Sequence, residues 1–244
     1  AGETIQDGIR VVKELNSKGI LATMDVLGEA VTNKEESEQA KLECLHVLDV
    51  IQENNLKSNL SIKPTQMGLK IDFDFCYKQV SEILERAAKY KNFVQIDMED
   101  SSTTDATFEL YKRLREKYDN VGIVVQAYLK RTMSDIQNPD MKGTNYRLCK
   151  GIYIEPEEIA YKKKHEIRDN FIKILEYFFN NGNYVGIATH DDYLIEKAYQ
   201  MIKEKNIPKD KFEFQMLYGV KENLRDKINS DGYGVVIVMR GSSG

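Results

Sequence analysis

Four residues stand where chemistry could be built: Lys63, Asp97, Arg147 and Lys150. The stretch RLCKGIYIE, residues 147–155, has the composition of a β-strand but carries two cations among apolar residues. A buried strand tolerates such charges only opposite an anion, because desolvating an unpaired charge is costly. Further polar residues gather at the ends of other β-rich runs: Asp25 and Glu29, Lys63 and Gln66, then Asp97, Glu99 and Asp100. Gln126, the group Thr189, His190 and Asp191, and the group Glu213, Gln215 and Tyr218 continue the series. Each has a plainer alternative. A single Lys or Gln at a strand end is usually a solvated loop residue, and Lys63, Asp97 and Glu213 could form a structural salt-bridge layer. His190 could be a helix-entry residue, with Asp191 or Asp192 as the N-cap. The acids of DMED, residues 97–100, are a weak metal motif. Lys63 could be a Schiff-base lysine.

Strand geometry sharpens these options. Side chains alternate with period 2, so Ser61, Lys63 and Thr65 share a face, as do Gln95, Asp97 and Glu99, and Glu213, Gln215 and Leu217. Facing a common interior, they would form a layer of one cation, several acids and amides, which suits a zwitterionic ligand. Arg147 and Lys150 have opposite parity, so a regular strand cannot aim both inward; one large ligand lying across the strand ends could meet both. Gly151, beside Lys150, reads as a place where a ligand approaches the backbone closely.

The elements that must hold these residues repeat along the chain. β-rich runs occur at 19–28, 59–68, 92–100, 120–129, 146–155, 184–192, 212–219 and 233–239. Helical periodicity fills most intervals: Ala40, Cys44, Val47, Leu48 and Ile51 fall on one face, as do Val80, Ile83, Leu84 and Ala87. Residues 157–179 and 193–205 behave likewise, and an amphipathic helix over 3–16 precedes the first run. Eight β-units separated mainly by helices predict an α/β fold with a parallel sheet. At 244 residues the size-matched solution is a single-domain (β/α)8 TIM-like barrel, whose active sites form at the C-terminal ends of the strands. A doubly wound sheet is the alternative, weakened by the lack of a Gly-rich turn after the first strand.

Composition narrows the partners. A formal net charge of −4 gives no broad electrostatic reason to expect nucleic acid. No window of about 18 apolar residues could span a bilayer. The first residues, AGETIQDGIR, show no signal-peptide pattern. Cys44, Cys76 and Cys149 have no metal-binding spacing and read as reduced thiols in a cytoplasmic protein.

Seven stretches, DVLGEAV, SIKPTQMG, QIDMEDS, VVQAYLKRT, YRLCKGIYIE, GIATHD and FEFQMLYG, occur in order on seven consecutive β-runs. In these motifs the chain resembles the catalytic barrel of the proline dehydrogenase family. The resemblance implies FAD as cofactor, L-proline as substrate, hydride transfer to flavin N5 giving Δ1-pyrroline-5-carboxylate, and a quinone electron acceptor. It further implies peripheral contact with the inner face of a membrane. Position by position, Lys63 matches the lysine that holds the proline carboxylate and Asp97 the acid that orients it. Arg147 matches the arginine near flavin N5. Met98, Gln126, Cys149, Lys150, Gly151, Thr189 and His190 match cofactor-binding positions. Tyr153 and Leu217 match residues that pack on the proline ring.

The C-terminal end departs from the family. The resemblance implies an eighth strand like Arg-Val-Tyr-Val-Pro and a following helix whose Arg-Arg pair clamps the proline carboxylate. Here the strand reads VVIVM, with Val236 and Val238 at the arginine and tyrosine positions, followed by Arg240 and GSSG. Glu29 matches the acid that pairs with one clamp arginine. The expectation is a barrel over 1–240, truncated or re-engineered, with a linker-like tail over 241–244 and no helix after strand eight. Losing two charged hydrogen bonds of about 1.5–3 kcal/mol each would weaken proline binding by roughly two to four orders of magnitude. The alternatives are an inactive barrel scaffold with weak or no flavin binding, and a Schiff-base lyase built on Lys63.

Overall fold

The computed structural model describes residues 4–28 and 30–242. Glu29 lies outside the described residues. Eight strands follow one another around a closed barrel in sequence order. They are β1 (Leu21–Leu27), β2 (Ser58–Ile62), β3 (Val94–Ile96), β4 (Val121–Gln126), β5 (Tyr146–Cys149), β6 (Val185–Ala188), β7 (Phe212–Leu217) and β8 (Val235–Ser242). Each of the eight β-runs read from sequence overlaps one of them, although β2 begins one residue before its run and β8 continues three residues past its own. The chain packs as two compact units, Ala1–Gly122 with Val236–Gly244, and Ile123–Val235.

The first unit contains α1 (Ile5–Ser17), α2 (Lys34–Glu53), α3 (Phe73–Lys89) and α4 (Thr104–Arg115). The expected apolar faces are the buried ones: Val47, Leu48 and Ile51 on α2, and Val80, Ile83, Leu84 and Ala87 on α3. Short polar residues start these helices. Asn33 Oδ1 accepts from Glu36 N at 2.9 Å and Asp72 Oδ1 from Phe75 N at 3.0 Å, satisfying amides that a helix leaves open. β1 pairs in parallel with β2, Asp25 opposite Ser61, and with β8, Asp25 opposite Arg240. β8 is almost wholly apolar because its interior part is buried on both faces, with Val235, Val236 and Ile237 nearly inaccessible. It extends through Gly241 and Ser242, opposite Val26 and Leu27, so the first half of the expected tail continues the strand.

The second unit holds β5, β6 and β7 with α5 (Thr132–Ile136), α6 (Lys164–Asn180), α7 (Asp192–Glu204) and α8 (Glu222–Ser230). Its core is aromatic: Tyr146 stacks on Phe178 at 4.3 Å, and Phe212, Phe214 and Tyr233 meet edge-on or tilted. β5 ends at Cys149, earlier than the β-like composition of 146–155 indicates. α6 begins at Lys164 rather than at 157. The residues between are held by backbone pairing, with Tyr161 N donating to Tyr128 O at 2.8 Å and Lys130 N to Ile159 O at 2.9 Å. This antiparallel strap competes with helix for the same backbone groups, and local periodicity carries no sign of it.

Candidate active site

In the first unit, β1, β2 and β3 deliver their polar residues to one another. Lys63 Nζ lies 2.8 Å from Asp97 Oδ2 and 3.3 Å from Asp25 Oδ2. Lys63 follows the last residue of β2 and Asp97 the last of β3; their shared parity brings them together. Asp25 sits inside β1, one strand over. Burial alone would pull the Lys63 ammonium down, but Asp97 and Asp25 hold it well above the ordinary lysine value. A lysine kept protonated by two carboxylates is a poor imine-forming nucleophile, which corrects the Schiff-base alternative. Arg240 Nε stands 4.0 Å from Asp25 Oδ2, at the far end of the same charge row.

The acids of DMED are each engaged. Glu99 accepts from Thr65 Oγ1 at 2.6 Å and Thr65 N at 2.9 Å, and burial pushes its carboxyl above the usual range despite those bonds. Asp100 caps the turn at Ser102. Met98 is buried between them in sequence. Among the described residues no group of three His, Cys, Asp or Glu side chains is arranged to hold a metal ion.

In the second unit the two cations of β5 take different partners. Arg147 is buried and donates through Nε to Gln215 Oε1 of β7 at 2.6 Å. Gln215 Nε2 donates to Glu213 Oε2 at 3.0 Å, and Tyr184 Oη donates to Glu213 Oε1 at 2.5 Å. Burial pushes the Glu213 carboxyl up, opposed by bonds from Tyr184 and Gln215 and by the charge of Arg147. Lys150 lies one residue beyond β5 and so is released from the strand's alternation. Its Nζ is 2.6 Å from Asp191 Oδ2, which Arg168 also binds through Nε at 2.8 Å. Burial would raise the Asp191 carboxyl, but hydrogen bonds from Arg168 and Lys150 hold it well below the usual range. Two cations thus share one carboxylate. Asp191 also caps α7, accepting from Tyr193 N at 3.0 Å, while its own amide donates to Thr189 Oγ1 at 3.1 Å.

His190 directly precedes the Asp191 N-cap of α7, as the helix-entry alternative has it. Its Nε2 accepts from Leu217 N at 2.9 Å, so β7's last residue is tied to the end of β6. That bond needs a neutral imidazole, and burial, followed by the charge of Lys221, lowers its proton affinity in agreement. Gln126 is buried at the end of β4, its carbonyl accepting from Thr132 Oγ1 at 2.6 Å. Cys149 is half-buried, with Sγ 3.7 Å from Val125 O.

Two expected residues take structural parts. Gly151 has φ +112°, and an added Cβ would lie 2.3 Å from the Tyr128 ring. The glycine is therefore demanded by backbone conformation and by Tyr128, a structural reason that stands beside the expectation of close ligand approach. Tyr153 packs on the small cluster of Tyr128, Leu129 and Ala160. Asp25, Arg168 and Tyr184 were not singled out from sequence as partners. Each contacts a residue at least 23 positions away, and only strand register or helix placement joins them.

Comparison with known proteins bears on this arrangement. The family model described as proline dehydrogenase matches residues 9–240. Proline dehydrogenase 2 of Bacillus subtilis strain 168 is 39% identical over 238 residues, covering 98% of this chain and 78% of that protein. The proline dehydrogenase of Deinococcus radiodurans is 31% identical over 244 residues, with 98% and 79% covered. Among solved structures, proline utilization A from Bdellovibrio bacteriovorus inactivated by N-propargylglycine superposes with a TM-score of 0.91 at 23% identity. The match covers 99% of this chain but only 30% of that one, and shows the shared fold. With the family model spanning nearly all of the chain and relatives above 30% identity along most of their own length, the chain belongs to the proline dehydrogenase family of oxidoreductases.

Proposed function

We propose that this chain oxidises L-proline to Δ1-pyrroline-5-carboxylate with FAD as its cofactor and a quinone as the final electron acceptor. The observation that carries the reading is Lys63, held protonated by Asp97 and Asp25. A fixed ammonium is a seat for the carboxylate of an amino acid, and its flanking acids suit the substrate's amine. Asp97 holds Lys63 in place, and Asp25 holds it from the other side.

The donor set of the second unit fits FAD by its chemistry. Arg147 is a buried cation, and Lys150 and Arg168 give two cations to the single carboxylate of Asp191, an excess that suits a pyrophosphate. Arg147, Lys150, Cys149, Gly151, Thr189, His190 and Gln126 would hold the cofactor; the assignment of Met98 to it rests on family resemblance. When bound, FAD supplies the acceptor for the hydride that leaves the proline ring carbon next to nitrogen. Arg147 would favour that transfer by offering fixed positive charge to the reduced ring system. The assignment of Tyr153 and Leu217 to the proline ring rests on family resemblance. The quinone would be met at a membrane surface from the cytoplasmic side; among the described residues no helix is long and apolar enough to cross a membrane.

Val236 and Val238 offer the substrate no polar group from β8, so proline binding is expected to be weak. The test is the visible absorption spectrum of the purified protein before and after anaerobic L-proline. A flavin spectrum that bleaches supports the whole reading. A flavin spectrum indifferent to saturating proline supports an inactive scaffold that keeps its cofactor. No flavin uptake after added FAD overturns the proposal.

A further inference from the structure

β5 and β7 are not neighbours, since β6 pairs with both. Yet Arg147 of β5 touches Gln215 of β7 at 2.6 Å. The row that joins them explains how. Arg147 lies opposite Gly186 of β6, and Gly186 lies opposite Glu213 of β7. A Cβ at position 186 would come within 2.4 Å of Gln215 Nε2. With no side chain there, the two long side chains meet over the middle strand.

The hydrogen bonds have one possible direction. A guanidinium only donates, so Gln215 must turn Oε1 toward Arg147. Its Nε2 then faces Glu213 Oε2 at 3.0 Å, which must accept. Tyr184 Oη completes the chain on the other carboxyl oxygen. The Arg147 bond runs through Nε, on the stem side of the fork, and so fixes the plane of the guanidinium. A carboxylate thus stands two hydrogen bonds from the cation, coupled to it through an oriented amide.

We infer that Gln215 and Glu213 are positioning residues for Arg147: the amide fixes the guanidinium, and the carboxylate tempers the positive charge it presents. The inference rests on the reading that Arg147 serves a flavin. In that setting Glu213 restrains how far Arg147 stabilises the reduced cofactor, and Tyr184 keeps the carboxylate in its accepting geometry.

Two readouts test it. In the flavin-free protein, the Arg147 Nε–H resonance is followed by 15N NMR in wild type, Glu213→Gln and Gln215→Leu. A slowly exchanging signal is expected in the first two and its loss in the third. Glu213→Gln keeps an acceptor for Gln215 and a donor for Tyr184, so it removes charge without removing the chain. In the flavin-loaded protein, Glu213→Gln is expected to favour the reduced flavin about tenfold, a rise of about 30 mV for a two-electron couple. An Arg147 signal that survives Gln215→Leu unchanged overturns the positioning role. A midpoint unmoved by Glu213→Gln, with flavin bound as in wild type, overturns the tempering role and leaves the flavin reading intact. A wild type that takes up no flavin overturns that reading instead, and the NMR comparison still decides whether Gln215 positions Arg147.

Discussion

Lys63 is the residue on which binding and stability meet. Its ammonium bridges Asp25 and Asp97, both largely buried, so removing it takes away the cation that the two carboxylates share. Breaking a buried pair from one side costs about 3–5 kcal/mol, more than the lost attraction, because the remaining charges stay desolvated. Lys63→Met is expected to lower stability by about 3 kcal/mol in urea denaturation. It should also reduce kcat/KM for proline at least a hundredfold, chiefly through KM. The Lys63–Asp97 contact was legible in the sequence, since the parity of two neighbouring strands placed both on one face. The second carboxylate was not assigned, because nothing local to Asp25 says which strand lies beside β1.

At the scale of elements, the strands and the apolar faces of α2 and α3 were legible because burial imposes a period that survives in the residue order. The strap between β5 and α6 was not. Residues 157–163 carry enough charge to resemble a helix, and their backbone is instead paired with 128–130. The same segment turns on Gly151, whose φ of +112° and contact with the Tyr128 ring leave no room for a side chain. Gly151→Ala is expected to cost about 2–3 kcal/mol, combining backbone strain with overpacking. A thermal denaturation series that includes Tyr128→Ala checks the steric part: the double variant should lose less than the sum of the singles. Lys150, adjacent to the glycine, would shift with it, so the same substitution should loosen the pairing with Asp191.

For the molecule as a whole, two groups in the second unit contribute to its response to acid. Burial, with Lys221, depresses the proton affinity of His190, so the unfolded chain binds a proton more readily than the folded one. Stability from this group is present above the ordinary imidazole value of about 6.5 and is lost as pH falls from there through the lower folded value. Asp191 adds a second step. Despite burial, Arg168 and Lys150 hold its carboxyl low, so its contribution is present above the ordinary value of about 3.9 and disappears as pH falls through the folded value. Urea midpoints measured against pH should therefore decline in two stages. His190→Gln should flatten the upper stage, and Asp191→Asn should shrink the lower one while costing about 2–3 kcal/mol at neutral pH.

Gly186 has a bearing on how such a barrel can change over evolutionary time. Its missing side chain opens a passage across β6 that Gln215 fills, so the two positions are one hereditary unit rather than two. A lineage that acquires alanine at 186 must swing the Gln215 side chain aside or shorten it, and either step parts Arg147 from Glu213. Substitutions at 186 and 215 should accordingly be inherited together, and a glycine becomes the gatekeeper of how far the nearby arginine's charge can drift.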